Sequence, residues 1–143
     1  MLDRERVLAY LAELVAALED WERYRSRISQ EQLLRDRDTR NMVLHAMLVA
    51  IQAAIDIGQH ILVAHRWERP GSYRETFDLL VAHGVVSQDL GEQLAGLAGF
   101  RNALVHVYWK LDFEAVHRVF LAETETLRAF CTVVKRLLAG EAR

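Results

Sequence analysis

The sequence predicts an all-α protein, an up-and-down bundle of about five helices, on three observations. Apolar residues recur at spacings of three and four, the period of one helix face. No run shows the period-two alternation of strands, and a single Pro with seven Gly in 143 residues leaves few chain breaks. With 52% hydrophobic and 27% charged residues, the composition fits neither a disordered chain nor a turn-rich β protein. The length suits one domain, residues 1–143, too short for two independent cores.

The elements follow in order. Val7, Leu11, Leu14, Leu18 and Trp21 keep one face of a long first helix. Ser29 to Gln32 has the S-x-x-Q form of a capping box, starting a helical turn that runs through Leu33 and Leu34 towards the next element. From Asn41 to His65 there is one formally charged residue, Asp56, and the stretch is long enough to cross a bilayer. Its Asn, Gln and His residues suit a helix buried among helices better than hydrocarbon, so no membrane span is expected. Pro70-Gly71 breaks the chain, and Ser72 to Glu75 caps a short helix through Leu80 that Gly84 ends. Asp89 to Glu92 is read as opening the next helix, with the stripe Leu90, Leu94, Leu97, Arg101, Leu104 and Tyr108. A last helix starts near Asp112, points Val116, Val119, Phe120, Leu127, Phe130, Val134 and Leu137 inward, and frays at Gly140.

Eighteen Lys and Arg against twenty Asp and Glu give a net charge of −2, so nucleic-acid contact cannot rest on overall basicity. One cysteine, Cys131, offers neither an intramolecular disulfide nor a thiolate cluster, which favours a reducing compartment. Residues 1–6 lack an apolar signal core, so a cytoplasmic protein is expected.

Arg101 stands where the leucine stripe demands an apolar side chain. A guanidinium keeps its charge, so it needs an internal acid, a ligand, or a path to water along the core edge. If the helix persists, Arg101 and Tyr108 share a face, and Asn102 and His106 share the neighbouring one. His106 aligns with Gly91, Ala95, Gly99 and Asn102, a row of small residues that would admit a second helix, from the same chain or another. On the central helix His45, Gln52, Asp56 and Gln59 form a polar line. Asp56 is thus a candidate partner for Arg101 or for an imidazole, or an acid satisfied by backbone or water. Glu114-x-x-His117 has no second copy to complete a di-iron site, and His60 and His65 point apart on a helix. No metal site or cofactor is expected.

Residues 100–112, FRNALVHVYWKLD, resemble the R-x4-H-x-Y signature of the HepT-like toxins in the HEPN superfamily, with Arg101, His106 and Tyr108 at the motif positions. AIDIGQHIL, GSYRETFDLL and AHGVV are similar to the same family in the same order, so the resemblance spans residues 39–130. It implies a homodimer in which the motifs of two protomers meet across a cleft, and the small-residue row fits that arrangement. It further implies a type II/VII-like toxin–antitoxin component: a metal-independent ribonuclease acting on RNA with Arg101 and His106 as catalytic residues. Asn102 and Asp56 would support them. A cognate MNT-type nucleotidyltransferase antitoxin would neutralise it by transferring AMP to Tyr108. Two other readings stay open. One is a non-catalytic helical partner or nucleotide-binding subunit of a nucleotidyltransferase; the other is a bundle whose polar stripe only specifies oligomer pairing.

Overall fold

Asp3 opens the first helix, α1 (Arg4–Arg27), by accepting the Arg6 backbone N–H at 3.2 Å. In the computed structural model, which describes residues 2–141, α1 buries Val7, Leu11, Leu14, Leu18 and Trp21, the face read from the sequence. Met1, Ala142 and Arg143, the ends of the expected 1–143 domain, lie outside the described residues. The capping box is formed: Ser29 Oγ accepts the Gln32 N–H at 3.1 Å and Gln32 Oε1 accepts the Ser29 N–H at 2.9 Å, starting α2 (Gln30–Arg35). Asp36 ends α2 and caps α3 (Arg37–Ala64).

Helix α3 is the axis of the fold, touching α1, α2 and three later helices. It is long and apolar enough to cross a membrane, but 61% of its most apolar window is buried inside the protein, so interior packing accounts for its hydropathy. Ser72 caps α4 (Tyr73–Ala82) through the Glu75 N–H at 3.1 Å. Then follow α5 (Gln88–His106), a 3-10 turn at Tyr108–Lys110, α6 (Phe113–Ala122) and α7 (Thr124–Glu141). Trp21, Phe77, Phe120 and Phe130 are among the largest fully buried side chains, with Phe77 edge-on to Phe130 at 5.9 Å. Cys131 is buried beside them, and burial raises its thiol pKa.

The all-α class holds, with a finer division than expected: seven α-helices and no strand among the described residues. Ser87, not Asp89, caps α5, accepting the Leu90 N–H at 3.2 Å. The expected last helix breaks at Glu123. Donors from α1 fill the gap: Trp21 Nε1 donates to the Phe120 carbonyl at 2.9 Å, and Arg25 Nη1 to the Leu121 carbonyl at 3.3 Å and Thr124 Oγ1 at 2.8 Å. The carbonyls freed by the break are therefore paired inside the protein.

The small-residue row is occupied by α4 of the same chain rather than by a second copy. A Cβ on Gly91 would stand 2.1 Å from Val81 Cγ2, and one on Gly99 would stand 3.1 Å from Arg74 Nη1. The row therefore does not supply the dimer contact it was expected to fit. Gly91→Ala is expected to lose about 1–2 kcal/mol, overpacking against a stiff β-branched neighbour outweighing the helix-propensity gain. Gly96→Ala, with nothing within 4 Å of its Cβ position, is expected to gain about 0.5–1 kcal/mol. Urea midpoints of the two variants measure the contrast; equal shifts would show that α4 is not seated on Gly91.

Candidate functional site

Arg101 reaches the surface from the last turns of α5 without meeting a carboxylate. Its Nε donates to Gln52 Oε1 on α3 at 2.8 Å, its Nη1 donates to Asn102 Oδ1 at 3.2 Å, and its guanidinium carbon lies 4.9 Å from the centre of the Tyr73 ring. No ion pair among the described residues includes it. Two neutral amides and an aromatic face orient the group and leave its charge uncancelled.

Behind Gln52 stands Asp56, whose Oδ1 accepts the Gln52 Nε2–H at 2.9 Å. Burial raises the Asp56 carboxyl pKa; the Gln52 hydrogen bond and the Arg101 charge pull it down, and Glu13 pushes it up. The order Arg101–Gln52–Asp56 follows from the four-residue spacing of Gln52 and Asp56 on one face of α3. Asp56 thus bears on Arg101 through an intervening amide, not as a direct partner.

His106 is the last residue of α5 and is exposed. The helix stops there because Val107 leaves helical geometry at φ −129°, ψ 34°. Arg101, Asn102, His106, Ser72 and Tyr73 line one open groove of about 450 Å³. The imidazole and the guanidinium thus share a groove, together with Asn102.

Tyr108 does not share that face. The helix has already ended, and the 3-10 turn carries the phenol to the other side, where its hydroxyl is hydrogen-bonded with Asn41 Oδ1. It lines a separate groove of about 200 Å³ with Asn41, Leu44, His45, Leu48 and Leu104. The polar line of α3 is divided as well: His45 faces the Tyr108 groove, Gln52 supports Arg101, and Gln59 borders other clefts. Beside the motif, Val105, Val107, Tyr108 and Trp109 are 42%, 39%, 41% and 75% exposed, a run of apolar surface on one chain segment.

The remaining histidines do other things. His60 Nε2 accepts the Asp3 N–H at 3.0 Å, and burial, then the Arg6 charge, lowers its pKa. His65 Nδ1 lies 2.9 Å from the Ile61 carbonyl, and the His117 ring packs near Phe120. No group of three or more His, Cys, Asp or Glu with metal-binding geometry occurs among the described residues. Sequence reasoning placed Gln52 on the polar line without assigning it to Arg101, and it missed Tyr73 and Asn41. The periodicity of α3 could have suggested Gln52, whereas nothing local couples residue 73 to residue 101.

The family model described as ribonuclease HepT-like matches residues 14–134. The chain is similar to the mRNA nuclease HepT of Shewanella oneidensis, with 33% identity over 84 residues, 59% of this chain and 63% of that protein. It is also similar to the tRNA nuclease HepT of Aphanizomenon flos-aquae, with 33% identity over 86 residues, 60% of this chain and 56% of that protein. These alignments thus span less than two thirds of either relative. Among solved structures, the tri-AMPylated Shewanella oneidensis HEPN toxin in complex with MNT antitoxin superposes with a TM-score of 0.84 at 26% identity, covering 95% of this chain and 99% of that one.

Proposed function

The chain belongs to the HepT-like family, and from that premise we propose that it is the toxin of a toxin–antitoxin pair, a metal-independent endoribonuclease acting as a homodimer. The observation that carries this reading is the guanidinium of Arg101, held by Gln52, Asn102 and Tyr73 with no carboxylate to neutralise it. An arginine kept charged at the mouth of a groove is suited to an anionic oxygen, and His106 stands in the same groove. The relatives named as mRNA and tRNA nucleases support RNA as the polymer.

The chemistry needs three things. A base takes the 2′-hydroxyl proton, the 2′-oxygen attacks phosphorus, and an acid protonates the departing 5′-oxygen while positive charge stabilises the phosphorane. One chain places one histidine in this groove, so two copies of His106 and Arg101 around one phosphate supply both proton-transfer groups. Val105 in the groove wall and the exposed Trp109 offer the second protomer apolar surface outside the Tyr108 groove.

Tyr108 is the proposed point of control. Its phenol oxygen, released from Asn41, would attack the α-phosphorus of ATP, with pyrophosphate leaving and the phenolic proton lost to solvent, in a reaction catalysed by a partner nucleotidyltransferase. The Shewanella oneidensis toxin, AMPylated and bound to its MNT antitoxin, supports this assignment. The adduct adds bulk and negative charge beside the motif, opposing entry of an RNA strand.

Purified protein is expected to cut single-stranded RNA in EDTA. After co-expression with a nucleotidyltransferase partner, its intact mass should rise by whole adenylyl groups and cutting should cease. Tyr108→Phe should keep the unmodified mass and remain active in the same co-expression. Adenylylation of Tyr108→Phe would move the modified residue elsewhere, and no cutting by unmodified protein would end the nuclease reading.

A further inference from the structure

Two helices end with the same pair of backbone hydrogen bonds but with different residues at the critical position. At the end of α4, the Gly84 and Val85 N–H groups donate to the Val81 and Leu80 carbonyls at 3.0 and 2.9 Å, with Gly84 at φ 73°. At the end of α3, the Arg66 and Trp67 N–H groups donate to the Val63 and Leu62 carbonyls at 3.0 Å each, with Arg66 at φ 57°. Glycine is the usual residue in this left-handed position because a Cβ crowds the following carbonyl. Among the described residues, Arg66 is the one non-glycine with positive φ, so a strained site has been given to a long cation.

The two endings are locked together. The Trp67 ring stacks between the rings of His65 and His83, with centroids 4.3 and 4.0 Å away, and Glu68 Oε1 lies 2.8 Å from His83 Nε2. Arg66, Trp67, Glu68, Arg69 and Pro70 line a groove of about 420 Å³ against α3, two cations to one acid. Arg66 and Arg69 are both exposed, and neither belongs to an ion pair among the described residues. The nearest acid in sequence, Glu68, is engaged by His83.

The lining of this groove comes close along the chain to that of the groove that holds Arg101. Pro70 lines the first, Ser72 and Tyr73 line the second, and only Gly71 stands between them in the chain. Two residues of chain reach at most about 7 Å. We propose that the Arg66–Arg69 groove binds the phosphodiester backbone of single-stranded RNA next to the linkage held at Arg101, each arginine taking one phosphate. The inference rests on the ribonuclease reading and adds a substrate path to it. An excess of two arginines over one acid, that acid hydrogen-bonded with His83, and a lining that comes within two residues of the Arg101 groove favour a polyanion over a protein partner.

The test compares a dinucleotide with a single strand of about twelve nucleotides, using wild type, Arg66→Gly, Arg69→Ala and the double variant. Wild type is expected to favour the longer strand in kcat/KM. The double variant should lose about tenfold of that advantage through KM, and its salt dependence of binding should fall by about two phosphates' worth. Arg66→Gly relieves the left-handed strain, so its melting temperature should equal or exceed that of wild type while its affinity for the longer strand drops. A stability loss therefore cannot account for the result, and Arg69→Ala reads the same groove without altering the helix ending. A double variant that keeps the full length advantage overturns the proposal, as does one that loses only its association with a nucleotidyltransferase. Wild type that cuts neither RNA refutes the parent reading, an outcome visible before any variant is measured.

Discussion

His106→Ala is expected to slow RNA cleavage by about 10²–10⁴-fold, the range for loss of a positioned proton-transfer group. The fold should barely change, because the side chain is exposed at the end of α5 and makes no hydrogen bond among the described residues. Surface changes of this kind stay within about 0.5 kcal/mol. Wild type should show a bell-shaped dependence of rate on pH, since one imidazole must act as base and its counterpart as acid. Single-turnover rates on a defined oligonucleotide, with melting temperatures alongside, measure both. A variant that cuts as fast as wild type removes His106 from the reaction, and a flat wild-type profile removes the acid–base role.

Gln52→Glu is expected to lower the cleavage rate by about 10²–10³-fold, the loss associated with removing one electrostatic stabiliser. The new carboxylate would lie where Gln52 Oε1 now accepts the Arg101 Nε–H at 2.8 Å, and would cancel the guanidinium charge. The salt dependence of RNA binding should weaken by about one phosphate per protomer. Asp56→Asn is the companion variant, because it keeps an oxygen for the Gln52 amide and should retain most of the rate.

The sign of its stability effect follows from burial, which raises the Asp56 pKa in the folded protein. The folded state then binds the Asp56 proton more tightly than the unfolded chain, so the ionised form opposes folding at neutral pH. Asp56→Asn should therefore raise the melting temperature at neutral pH. The gain should fade as pH drops through the raised value towards the unfolded value near about 3.9. A Gln52→Glu enzyme with the wild-type rate would show that the Arg101 charge is not used.

Helix beginnings were legible where a side chain and its backbone target lie within one turn, as at Ser29, Ser72 and Asp112. The break at Glu123 was not, because the apolar face stays in phase across it and its compensation comes from Trp21 and Arg25, about a hundred positions away. The anomaly at Arg101 showed in the leucine stripe, since an arginine there requires an explanation. Its orientation did not, because Tyr73 and Gln52 meet it only after α3, α4 and α5 have packed. Extending α5 through Tyr108 assigned the phenol to the wrong face; one non-helical residue, Val107, redirects it. The glycine row was correctly read as a place of close approach, but its occupant is set by the short connection from α4 to α5.

The contacts that close the break between α6 and α7 bear on when the protein becomes competent. Helix α1 is synthesised early, yet Trp21 and Arg25 are fastened to the α6–α7 junction and Arg4 donates to the Leu138 carbonyl at 3.1 Å. A nascent chain still attached to the ribosome has no such partners to offer, and pairings this distant in sequence form slowly. Closing the bundle around α1 therefore waits until the α6–α7 junction and α7 have been translated.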